Sequence, residues 1–180
     1  MRQCGDCQLC CKLVPVRELG KPANTRCQHQ RHGKGCAIYD CRPMSCRKWS
    51  CQWLDEDDTR DLSRPDRSHY VIDMMPDFVT LSDNETGIAH EIPVIQVWID
   101  SEYPDAHRDP ALRDWLARKY DETGMMALVR SPSVTTALLP PAAGDGQWHE
   151  LASNLAPTKE HSAADIARVM ADRGLAMEVK

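Results

Sequence analysis

Four cysteines fall within eight residues in the opening run MRQCGDCQLCCKLVPV, a density suited to holding a metal or to building a disulfide framework. Cys4 and Cys7 are separated by two residues, the short chelate that lets two thiolates reach one ion at about 2.3 Å. Cys7 and Cys10 repeat that spacing. Cys10 and Cys11 are adjacent, and successive side chains leave the backbone in different directions, so one of the pair is expected to serve a second ion or to bridge.

A second series follows with Cys27, Cys36, Cys41, Cys46 and Cys51. From Cys36 onward it advances in steps of five, which rotate around a helix, and Pro43 interrupts any continuous one. Bends must therefore turn these thiols inward. Four cysteines satisfy one structural zinc or one cubane cluster, whereas nine point to two ions, a multinuclear site or some noncoordinating thiols. The opening resembles ferredoxin ligation only in part, since Cys11 follows Cys10 directly where a three-residue gap would be needed.

The elements that must position these thiols belong to a chain of 180 residues, long enough to bury one core. Its composition, 42% apolar and 27% charged, is that of a globular protein. No early apolar run resembles a signal peptide and no window resembles a membrane span, so a cytoplasmic protein with no membrane partner is expected. In a reducing compartment, thiolate ligands are favoured over disulfides.

Charge divides the chain. Residues 1–53 hold ten Lys or Arg against three Asp or Glu, and the remainder twelve against twenty-four. A basic cysteine-rich segment fits some nucleic-acid-binding modules, but metal-bound thiolates carry negative charge absent from the formal count. The surplus is therefore read as counter-charge, and nucleic acid is not an expected partner.

Beyond the cysteines, the acidic, turn-prone stretch LDEDDTRDLSRPDRS reads as a surface connection. From His69, short apolar runs (YVIDMM, DFVTLSD, HEIPVIQVWI and GMMALVRS) read as strands, with a turn at Asp83 and Asn84. Pro93 places the N-terminal side of the third run at an edge or bulge. DPALRDWLARKYDETG is the clearest helix: Asp109 caps, Pro110 opens, and Leu112, Trp115, Leu116 and Lys119 share a face ahead of Gly124. SAADIARVMADRG is a second helix, with Ser162 and Asp165 at its start and Ile166, Val169 and Met170 on one side. The expected fold is α+β: a cysteine-rich, metal-stabilised segment over residues 1–54 packed on a small mixed body over residues 69–180 as one compact unit.

The combination of CGDCQLCC with RCQHQRHGKGCAIYDCRPMSCRKWSCQWL resembles the CxxCxxCC cysteine-cluster family of zinc- or iron-chelating domains, over roughly residues 4–54. That resemblance implies Cys4, Cys7, Cys10 and Cys11 as a first ligand group and Cys27, Cys36, Cys46 and Cys51 as a second. Cys41 stands where the pattern requires no cysteine. The resemblance implies no reaction.

Other polar residues are weaker candidates. His29 is read as supporting a thiolate ahead of ligating metal directly, and His32 as solvated. Gly33 and Gly35 fit the turn before Cys36, and Tyr39 and Arg42 donate hydrogen bonds or simply pack. His90 and Glu91 lack the second histidine of a zincin motif, and Ser131 and Ser133 read as loop residues rather than nucleophiles. No catalytic residue is assigned. The sequence predicts a protein whose partners are metal ions, zinc ahead of iron or an iron-sulfur cluster, with structural or metal-handling work. A redox protein or enzyme built on iron is the alternative.

Overall fold

The computed structural model describes residues 2–82, 86–132, 134–153 and 161–175, so the expected turn at Asp83 and Asn84 and the loop residue Ser133 lie outside the described residues. The front contains helix α1 (Leu9–Leu13), a short hairpin of strands β1 (Gln30–Arg31) and β2 (Gly35–Cys36), and helix α2 (Met44–Lys48). Helix α3 (Pro65–Ser68) leads into the body. Its elements run β3 (Tyr70–Asp73), β4 (Phe78–Ser82), β5 (Ala89–Ile99), α4 (Pro110–Thr123), β6 (Met126–Arg130), β7 (Thr135–Leu139), β8 (His149–Ser153) and α5 (Ala163–Asp172). The chain is α+β.

Six strands form one sheet in the order β3-β5-β6-β7-β8, with β4 also pairing β5. Strands β3 and β4 share one side of β5 in tandem: Ile72 faces Val97 and Val79 faces Ile92. On the other side β6 begins only at Val94, opposite Met126, and runs parallel because α4 carries the chain back between them. Residues Ala89 to Pro93 thus pair with β4 alone, which is where a residue with no N–H is tolerated.

Alternation sends successive side chains to opposite faces of the sheet. One face, with Tyr70, Ile72, Ile95, Val97, Ile99, Val129 and Leu138, packs against Leu112, Trp115 and Leu116 of α4. Asp109 caps that helix by accepting from the Ala111 N–H at 3.1 Å, and it closes with Gly124 N–H on Tyr120 O at 2.8 Å. Ser162 caps α5 in the same way through Asp165, and Val169 and Met170 are its buried side. Lys119, expected on the apolar face of α4, lies over the Trp115 ring and pairs with Asp58 at 2.7 Å.

The opposite face receives the front. Leu13 of α1 is fully buried with Cys51 and Val71, flanked by Leu9, Cys10, Val14, Trp49, Trp53 and Trp98. Burying one such leucine contributes about 1.5–3 kcal/mol, so α1, although only five residues long, is held by packing and not by its own helicity. The acidic connection is more than a surface link: Thr59 and Leu62 are buried, and Arg2 donates to the carbonyls of Trp53 and Thr59 at 2.9 and 3.0 Å.

Candidate metal centre

Cys4 and Cys7 flank a turn closed by Cys7 N–H on Cys4 O at 2.9 Å, with Gly5 left-handed at φ 55°. Arg64 fastens this turn, donating to Asp6 at 2.7 Å and, through two nitrogens, to Asp66 at 2.6 Å. Cys10 rides on α1, and Cys51 precedes a 3-10 turn over Gln52–Leu54 against β3. These four thiols, with Trp53, Leu54, Pro65 and Val71, line a cavity of about 20 Å³. The space accommodates something of about the size of one water molecule.

The electrostatics of this compartment are those of an apolar wall. Burial pushes the Cys51 thiol up to about 12, against the pull of N–H groups from Trp53 and Ile72. Burial likewise raises Cys7, while the N–H groups of Leu9 and Asp66 act the other way. Cys10 is raised well above its ordinary value because its S–H donates to Cys11, with burial and the nearby Cys11, Cys51 and Cys4 adding to the effect. Backbone N–H groups aimed at buried sulfurs are the kind of support that thiolate ligands use.

Cys11, Cys27 and Cys46 bear on the charge of Lys21, and Cys46 and Cys36 on that of Arg42. Cys27 N–H donates to Cys11 O at 3.0 Å. Gln8, buried one turn ahead of Cys11, grips the hairpin through Arg31 O at 2.6 Å and Gly35 O at 3.1 Å, holding Cys36 nearby. The turn into Cys36 uses Gly35 at φ 83°. Cys46 sits on α2, which is moored by Ser45 to Glu18 at 3.0 and 2.8 Å. The Cys46 thiol is raised by burial, eased by Ser45, with Cys11 and Cys27 as charged neighbours. Cys11 is lowered to about 7, first by the Cys10 hydrogen bond, against burial, and with help from Lys21.

Cys51 lines the cavity with Cys4, Cys7 and Cys10, while Cys11 has Cys27 and Cys46 as neighbours. Consecutive residues on a helix diverge by about 100°, yet the Cys10 thiol still reaches Cys11 as a hydrogen-bond donor, so the cavity and the Cys11 side of α1 adjoin at this step. Cys41 is exposed and does not line the cavity. The His29 ring lies 3.3 Å from Gln28 Nε2, and Arg42 stacks on Tyr39 at 4.0 Å while Cys46 and Cys36 bear on its charge. Glu91 is spoken for by Arg168 at 2.7 Å, and Ser131 Oγ donates to Val134 O at 2.8 Å as a loop residue would.

All nine cysteines are free thiols, and among the described residues no three His, Cys, Asp or Glu side chains are already drawn close enough to grip an ion. Four soft donors around one cavity nevertheless suit a thiophilic metal. Arg64, Gln8 and Lys21 were invisible as site residues in the sequence, where each is an ordinary polar side chain with no spacing to mark it. Among the described residues, no helix is long and apolar enough to cross a membrane. No family model, no curated protein and no solved structure matches the chain, so the reading of the site rests on its own residues.

Proposed function

We propose that the chain is a metal-binding protein whose ligands come from Cys4, Cys7, Cys10, Cys11, Cys27, Cys36, Cys46 and Cys51, with zinc ahead of iron or an iron-sulfur cluster. The observation that carries this reading is the cavity walled by Cys4, Cys7, Cys10 and Cys51, thiols drawn from both ends of the cysteine-rich segment. A metal bound there supplies bonds linking residues 4–10 to residue 51 across a front whose own apolar packing is limited to α1 and a few tryptophans. The work is structural or metal-handling. Zinc leads because thiolate coordination explains these residues without redox chemistry.

The protein's own groups prepare the site in definite ways. Thiols kept protonated by burial, such as Cys51, must release their protons as ligands form, so binding is proton-linked. The N–H groups of Trp53, Ile72, Leu9 and Asp66 then stabilise the resulting negative sulfurs. Anaerobic purification followed by elemental analysis, acid-labile sulfide and an absorption spectrum tests the proposal. Stoichiometric zinc in a colourless protein is the expected result. Stoichiometric iron with sulfide replaces zinc by a cluster, and folded protein free of any transition metal overturns the reading.

A further inference from the structure

Sulfur accounts for only part of the basic surplus at the front. Thiols bear on the charges of Lys21, which is buried, and of Arg42. Arg26, Arg31, Lys34, Arg47 and Lys48 are instead exposed, and among the described residues no carboxylate pairs with any of them. Residues 21–53 carry seven Lys or Arg against Asp40 alone. On the body, by contrast, exposed Arg108 is held by Asp105 and Glu150, and exposed Arg168 by Glu91 and Asp172.

The unpaired cations adjoin an aromatic surface. Strand β2 runs into the Tyr39–Cys41 turn and then into α2. Arg42 lies over the Tyr39 ring at 4.0 Å, and Arg47 donates to Arg42 O at 2.9 Å and to Asp40 O at 3.1 Å. Those carbonyls are neutral, so they fix the Arg47 guanidinium in place and leave its charge uncompensated. Cys36, which ends β2, bears on Arg42 as Cys46 of α2 does, and this brings the hairpin that carries Arg31 and Lys34 to the same place. Tyr39 is 62% exposed and Met44 59%, two large apolar side chains left in water among these charges.

We infer that the face made by the β1–β2 hairpin, the Tyr39–Cys41 turn and α2 binds single-stranded nucleic acid. Arg31, Lys34, Arg47 and Lys48 neutralise phosphates, and Tyr39, backed on one side by Arg42, offers its ring to an unstacked base. A simple polyanion would use the cations and leave the ring idle. A duplex keeps its bases stacked inside and is read by an element that fills the major groove, for which the five residues of α2 are short. The surplus expected from the sequence to balance thiolates is thus, at these positions, a phosphate-binding surface. None of these side chains lines the thiol cavity, so binding here and metal binding are separable.

Fluorescence polarisation of the full chain, as purified, with labelled oligo-U and oligo-dT tests this. Binding is expected at about 50 mM salt, with log affinity falling linearly against log salt concentration. Lys34→Gln and Lys48→Gln, at exposed side chains without partners, each reduce that slope by about 0.7, whereas Arg118→Gln, exposed on α4 across the sheet, leaves it unchanged. Tyr39→Ala weakens binding about tenfold and Tyr39→Phe keeps it, because stacking needs the ring and not the hydroxyl. No binding at low salt, slopes indifferent to Lys34 and Lys48, or equal affinity in Tyr39→Ala and Tyr39→Phe overturns the inference. Tighter binding to a duplex of the same length, or to vesicles containing anionic lipid, overturns it as well. Metal content, measured on the same samples, tells this failure from that of the metal-binding reading: loaded protein that ignores the oligonucleotides sinks only the surface, and metal-free folded protein that binds them sinks only the metal.

Discussion

Lys12 Nζ meets Asp100 Oδ1 at 2.6 Å and Oδ2 at 2.8 Å, an ion pair buried between the helix that carries Cys10 and Cys11 and the end of β5. The side chains are 11% and 6% exposed, and Glu102, 71% exposed, adds a third contact at 2.9 Å. Burial lowers the lysine's proton affinity, but Asp100 and Glu102 outweigh it and the net direction is upward, so the pair is charged. It pins the front to the body.

Breaking this pair from one side strands the other charge. Asp100→Asn or Lys12→Met is expected to cost about 3–5 kcal/mol, whereas Lys12→Met with Asp100→Leu together costs far less, because neither charge is left buried alone. Urea unfolding of the three variants measures both. Equal losses in single and double variants would show that shape, not charge, holds the front.

Glu150 joins β8 to α4 by accepting from Arg108 at 3.1 and 3.2 Å and from Arg113 at 2.6 Å, with His107 Nε2 at 3.4 Å. These contacts, Arg108 first and against some burial, hold its carboxyl down at about 2 from an ordinary 4.5. A depressed acid contributes stability above its unfolded value and loses it as pH falls through the folded one. The loss therefore runs from about pH 4.5 to about pH 2. Solvent screening limits it to on the order of 1 kcal/mol. Glu150→Gln should flatten that part of the acid-stability curve, and an unchanged slope would count against the assignment.

The helices Pro110–Thr123 and Ala163–Asp172 were legible because their signals are local: Asp109 before Pro110, Ser162 three residues before Asp165. Strands β7 and β8 were not, since TTALL and HELAS carry no clear alternation and gain their identity from pairing with β6 and with each other. The thiols announced themselves by type and spacing. That Cys51 comes to line a cavity with Cys4, Cys7 and Cys10 was not legible, because it depends on Cys51 packing against Val71, a contact between residues far apart in sequence. Thr59 and Leu62 were hidden inside an acidic stretch for the same reason.

Arg64 links the Cys4–Cys7 turn to α3, and Gly5 leaves room beside it, with the guanidinium 3.8 Å from where a Cβ would stand. Arg64→Ala removes the fork without touching a thiol. The expected result is a fall of about tenfold in affinity for metal at the Cys4, Cys7, Cys10 and Cys51 cavity, the scale typical of residues that orient ligands. Arg64→Lys recovers little of it, because one ammonium cannot bind Asp6 and Asp66 in the same fork. Titration with Zn²⁺ reads the effect, and full recovery by lysine would reduce Arg64 to a general positive charge.

Chelation separates the roles of metal and core. Removing metal from the loaded protein should raise amide exchange over residues 4–51, while β3, β5 and β6, sealed by Ile72, Ile95, Val97 and Val129 against α4, keep their protection. The Lys12–Asp100 pair and buried Leu13 limit how far α1 can loosen. Hydrogen exchange before and after chelation reports this segment by segment. Uniform protection throughout the front would remove the structural role.

Cys41 is the sharpest test of the ligand set. It is exposed, its N–H donates to Ile38 O at 3.0 Å, and it does not line the cavity of Cys4, Cys7, Cys10 and Cys51, although it sits five residues from both Cys36 and Cys46. The segment around it turns so that Cys36 and Cys46 approach Arg42 while Cys41 points away to solvent. Cys41→Ser is therefore expected to keep the parental metal-to-protein ratio, whereas Cys7→Ser and Cys46→Ser each lose metal, since a soft anionic donor is exchanged for a poor one. Elemental analysis of the three purified variants decides it. Loss of one full equivalent in Cys41→Ser alone would mean that the Tyr39–Cys41 turn refolds around metal, and that a ninth sulfur takes a place assigned here to Cys36 or Cys46.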